Sequence, residues 1–116
     1  MPNPTGPTND PLSDFTETST FKVAQGAAGA TTIATPGATQ KVYVTGIFLT
    51  LDAAGTAKFT ETAGDLTGTL SMGGAAAPPL VVASDRPLLW TSTAGEALTL
   101  TTVTGKAQGW INYFVA

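Results

Sequence analysis

Few side chains in this 116-residue sequence have reactive chemistry, and their types limit what that chemistry would be. Histidine and cysteine are both absent. That removes the commonest general base, the thiolate nucleophile and the usual transition-metal ligands, and it excludes disulfides. Ser19-Thr20-Phe21-Lys22 matches the S-x-x-K pattern of acylating serine enzymes. Its companion motifs are missing, however, and the four residues fall in an alternating, strand-like stretch instead of at a helix start. Gly105-Lys106 is a fragment of a phosphate loop, but Leu100 stands where the first glycine belongs and Ala107 where the magnesium-binding Ser or Thr belongs. Neither pattern supports an enzyme.

The carboxylates offer one repeated pattern. Thr62-Ala63-Gly64-Asp65 and Thr93-Ala94-Gly95-Glu96 are each followed by a Leu/Thr segment, and such acidic turns, joined by Asp52, Glu61 or Asp85, could hold calcium. Calcium needs about six to eight oxygens, supplied by close D-x-D spacing that neither turn has. They read as turns, with no metal or cofactor implied. The acids lie near turns or in the first seventeen residues, and no pair has the context of a glycosidase. Trp90, Trp110, Tyr43 and Tyr113 could stack on a sugar. In a sequence with 8% aromatic residues they read first as anchors of a core or of a subunit interface.

Composition agrees with an interaction protein. The chain is 42% hydrophobic and only 11% charged, against roughly 25% charged in ordinary domains. Thr, Ala and Gly fill the difference, which favours pleated sheet under a polar, nearly uncharged exterior. A net charge of −3 with Lys22, Lys41, Lys58, Arg86 and Lys106 scattered singly argues against nucleic acid. No apolar run reaches the ~18–20 residues of a membrane span, and Met1-Pro2-Asn3-Pro4 lacks the start of a secretory signal. The expectation is a soluble chain made in the cytoplasm, with no membrane partner.

The elements that would position these residues are strands. Phe15–Ala24, Thr31–Thr35, Lys41–Leu51, Thr56–Thr62, Leu66–Met72, Leu80–Ala83, Pro87–Ser92, Glu96–Val103 and Ala107–Val115 alternate with Gly, Pro and Asp turns every eight to twelve residues. That spacing predicts an all-β antiparallel sandwich or jelly roll of about eight short strands over residues 15–116. In Lys41–Leu51, Val42 and Val44 share one parity and Ile47, Leu49 and Leu51 the other, so a bulge or bend is expected at Gly46. Ile47-Phe48-Leu49, Leu88-Leu89-Trp90 and Trp110 to Val115 carry large side chains on both parities. One face of those strands would enter the core and the other would meet a second copy of the chain, with Phe48, Leu89, Trp90, Trp110 and Tyr113 as the oligomer-interface candidates. Residues 1–14, MPNPTGPTNDPLSD, are too polar and proline-rich to fold alone and read as an extended docking arm.

The stretch GAAGATTIATPGATQKVYVTGIFLTL, a GTAKF-type hairpin and the closing TAGEALTLTTVTGKAQGWINYFVA resemble small structural proteins of tailed-bacteriophage virions. The similarity is to capsid decoration, or cement, proteins and related head-fibre modules, over Gly26 to Ala116. The resemblance implies a β-rich homotrimer on the outer surface of the capsid, bound to the major capsid protein, with no catalytic residues. It also implies that an N-terminal segment makes the capsid contact, which would fall on Pro2, Asn3, Pro4, Thr5, Pro7, Asn9, Pro11 and Leu12. A glycan- or receptor-binding module of a phage fibre, using the Trp and Tyr residues, is the alternative.

Overall fold

The computed structural model describes residues 18–73 and 79–116, so the arm, the start of its first expected strand and most of the 73–79 loop lie outside the described residues. Alternation of apolar with Thr-rich positions yields β1 (Ser19–Ala24), β2 (Ala30–Ala34), β3 (Val42–Leu51), β4 (Gly55–Glu61), β5 (Gly64–Asp65), β6 (Leu70–Met72), β7 (Leu80–Ala83), β8 (Leu89–Trp90), β9 (Leu98–Val103) and β10 (Ala107–Val115). They form two antiparallel sheets. Sheet A runs β1-β10-β3, with β7 and β8 end to end along the far edge of β3. Sheet B runs β2-β9-β4, with β5 and β6 along β4. Counting each of those short pairs as one interrupted strand gives the expected eight, in the interleaved order of a jelly roll.

The chain changes sheet at almost every connection, so β3 and β4 are not the hairpin that the GTAKF sequence suggests: β3 lies in sheet A and β4 in sheet B. Asp52 fastens that crossover. Its Oδ1 accepts from the Lys106 amide at 2.6 Å, and Lys106 Nζ lies 3.6 Å from Asp52 Oδ2. Glu96 begins no strand, because its carboxylate accepts from the Ala63 amide at 2.7 Å and its own amide turns back to the Thr93 carbonyl at 3.3 Å. Likewise Leu66 sits in a turn, donating to the Phe59 carbonyl at 2.8 Å, and the expected turn Gly64–Asp65 pairs with β4. Strand Pro87–Ser92 contracts to Leu89–Trp90, although the Leu88 and Thr91 amides still bond the Val44 and Val42 carbonyls at 2.6 and 3.0 Å.

The core fills the space between the sheets with Val23, Val42, Val44, Leu49, Phe59, Leu98, Leu100 and Ile111, among others. Polar clasps close both ends. At one, buried Gln25 accepts from Thr102 Oγ1 and the Ala107 amide at 2.8 and 2.9 Å and donates to the Gly29 carbonyl at 3.0 Å. At the other, buried Glu61 accepts from the amides of Ser92 and Thr93 at 2.8 and 3.3 Å and from the Ser92 hydroxyl. Every one of these groups is satisfied, as burial requires.

Candidate interaction face

The outer side of sheet A is built by register. β10 points Trp110, Asn112 and Phe114 away from the core and Ile111 toward it, because successive strand residues alternate. On β3 the pairing shifts: Asn112 faces Gly46 but Tyr113 faces Val44, leaving Thr45 as an extra residue. This is the bulge expected at Gly46. It keeps Val42, Val44, Ile47, Leu49 and Leu51 all in the core, and it puts Phe48 and Tyr43 on the outer face despite their opposite parity.

Two aromatic rows result. In the first, register aligns Lys22, Trp110, Phe48 and Val81 across four strands, and the Trp110 and Phe48 rings stack with centroids 4.4 Å apart and planes 6° apart. In the second, Phe114, Tyr43 and Trp90 align. Tyr43 stacks on Phe114 at 5.0 Å and 11°, and tilts against Trp90 at 6.3 Å and 33°. Four residues of β10 separate the rows, or about 13 Å.

Between the rows runs a polar trough of Thr20, Asn112 and Gly46. Thr20 Oγ1 donates to Asn112 Oδ1 at 2.8 Å, fixing the amide. Gly46 makes room for it, since a Cβ there would come within 3.1 Å of Asn112 Nδ2. Gly109 is equally constrained: at φ 140° a side chain would collide with the Phe48 carbonyl. The face is open as well as aromatic, with Trp90 51%, Trp110 45% and Val81 60% exposed.

Of the interface candidates, Phe48, Trp90 and Trp110 stand on this outer face. Leu89 and Tyr113 instead pack against the core, because they pair with each side of inward Val44. Tyr43 and Phe114 occupy the corresponding outer places. The arm candidates Pro2 to Leu12 lie outside the described residues.

The outer side of sheet B is different in kind. Its register brings Thr32, Thr99 and Thr60 into one row and Thr101 beside Lys58 in the next, with Val103 its exposed apolar residue on β9. Lys58 Nζ pairs with Asp65 at 3.2 Å across this surface. One side of the sandwich is thus aromatic and the other threonine-covered.

Among the described residues nothing else gathers reactive groups. Ser19 and Lys22 are three residues apart on a strand and so project to opposite faces of β1. Among the described residues no cluster of three acids could hold a metal. The acidic turns meet each other through backbone amides: Glu61 takes Ser92 and Thr93, and Glu96 takes Ala63. Burial raises the Glu61 pKa, but the Ser92 hydroxyl, the Ser92 and Thr93 amides and the charge of Lys41 outweigh it and hold the group below its ordinary 4.5. Comparison with protein-family models, with curated proteins and with solved structures finds no match.

Proposed function

We propose that this chain is a structural protein of a tailed-phage virion that decorates the outer surface of the head shell as an oligomer, a homotrimer by the resemblance, and reinforces the major capsid protein lattice. The observation that supports this reading is the aromatic outer face of sheet A. Soluble domains seldom leave contiguous apolar patches of several hundred Å² in water. Here two exposed aromatic rows are set on one face by register and bulge, in a domain whose Asp52, Glu61 and Glu96 carboxylates are engaged in holding turns. Such a face is suited to another copy of the chain, while the threonine face stays hydrated.

The test is native mass spectrometry of the full chain at micromolar concentration, together with co-sedimentation on expanded, empty head shells of the phage that encodes it. Trimers and saturable shell binding are expected. A single monomer peak and no co-sedimentation would overturn the reading. The alternative, a glycan- or receptor-binding fibre module, draws on the placement of Trp90 and Trp110 on one face. It predicts glycan-array binding that is lost in W90A or W110A.

A further inference from the structure

We infer that the partner held by the aromatic face of sheet A is the proline-rich segment Pro4–Pro11 of a second copy of this chain. The inference rests on the self-association proposed above and names what one copy presents to the next.

The chemistry of the face matches that segment. Polyproline helices are recognised by aromatic-lined surfaces, because a ring packs on a prolyl ring and neighbouring donors bond the exposed carbonyls. Sheet A provides aromatic rows about 13 Å apart. Pro7 and Pro11 are four residues apart, which spans about 13 Å in extended backbone and, at a side-chain period of two, turns both rings to one side. Pro4-Thr5-Gly6-Pro7 has the P-x-x-P spacing that puts two prolines on one edge. Asn112 Nδ2, in the trough between the rows, and the Trp110 indole N–H have no acceptor among the described residues, and both can donate to backbone carbonyls.

Charge fixes the direction. Lys22 is the charged residue aligned by register with Trp110 and Phe48, and Asp10 immediately precedes Pro11. Pro11 against the Trp110 row brings Asp10 to Lys22, and Pro7 then reaches the Tyr43–Trp90 row.

The occupant comes from a second copy because of where the segment joins. It enters β1 at Ser19, opposite Tyr113, on the edge of sheet A. Phe15-Thr16-Glu17-Thr18 contains none of the Gly, Pro, Asn, Asp or Ser residues that a tight reversal uses. To lie on its own face the chain would have to double back there, since a reversal at Ser13-Asp14 leaves Pro11 only two or three residues past the turn and short of Trp110, which lies level with Lys22. Leading away from β1, fourteen residues reach at most about 45–50 Å, enough to cross to a neighbour.

The test uses the full chain labelled with 5-fluorotryptophan, followed by fluorine NMR, acrylamide quenching and native mass spectrometry on the same samples. The triple variant P4A/P7A/P11A is expected to shift both Trp resonances toward the solvent position, to raise quenching at least about twofold, and to lower the oligomer fraction. D10K and K22D should each weaken the oligomer about tenfold, and the double variant should recover it. If the triple variant keeps its oligomer and its shielded tryptophans, the segment is not the occupant, and self-association stands without it. If the wild type is a monomer with exposed tryptophans, both readings fall. A monomer whose tryptophans are shielded and proline-sensitive would place the segment on its own face and overturn the second-copy assignment.

Discussion

Replacing Glu61 with alanine should loosen the end of the sandwich where the two sheets are tied together. Glu61 closes β4 of sheet B at 8% exposure, and its carboxylate takes the Ser92 amide at 2.8 Å, the Thr93 amide at 3.3 Å and the Ser92 hydroxyl, just beyond β8 of sheet A. Alanine leaves those donors without an acceptor. A buried orphan costs about 1–3 kcal/mol, but Ser92 and Thr93 are exposed residues that water can partly satisfy, so the expected total is about 2 kcal/mol. With a urea slope of about 1–2 kcal/mol per molar, the midpoint should fall by roughly 1–2 M. Glutamine keeps the shape and one acceptor and should cost about 1 kcal/mol. The folded pKa is depressed below 4.5, so the stabilisation is present above that value and is lost as pH falls through the folded pKa. The gap between wild type and E61Q should therefore be full at neutral pH and narrow progressively below about pH 4.5. Urea titrations at several pH values measure it. A gap that does not change with pH, or an E61A cost under about 0.5 kcal/mol, would refute the reasoning.

The core makes a simpler prediction: Phe59 is fully buried, and F59A should cost about 3–5 kcal/mol in the same denaturation assay. G109A, which drives a methyl into the Phe48 carbonyl on a central strand, should destabilise by more than about 2 kcal/mol or prevent folding, as judged by circular dichroism. Calcium or EDTA should move the thermal midpoint by less than about 1 °C, because the Glu61 and Glu96 carboxylates are already bonded to backbone amides. A chain beginning at Thr18 should keep its sheet spectrum, since every core residue of the described sandwich lies after that point.

How far the sequence could be read depended on periodicity. The valine-to-isoleucine phase change in β3 located its bulge, because an extra residue is what reconciles two apolar parities on one face. The second bulge, at Ile33 in β2, was illegible: Ile33 and Ala34 are adjacent, and only the partner register shows that both turn inward. Where large side chains are consecutive, as in Leu88-Leu89-Trp90 and Trp110 to Val115, parity alone cannot say which half faces out. That is why parity offers Leu89 and Tyr113 for the outer face, where Tyr43 and Phe114 belong. Glu61 could have been found. It continues the inward parity of Ala57 and Phe59, and an acid on a core parity at a strand end must be met by donors.

The strand order also bears on how the molecule can be made. β10 lies between β1 and β3, and β9 between β2 and β4. Both sheets therefore wait for their middle strand until Leu98–Val115 has been synthesised, and Ser19–Ala24 then finds its partner some ninety residues later in the chain. Folding on the ribosome cannot proceed strand by strand from the N-terminus. The nascent chain carries Tyr43 and Phe48 without their stacking partners Phe114 and Trp110 until β10 arrives, and closing such distant pairings is intrinsically slow, on the order of milliseconds to seconds. Chain concentration and chaperone access during that interval, more than the stability of the finished sandwich, would then govern how much of the protein is recovered.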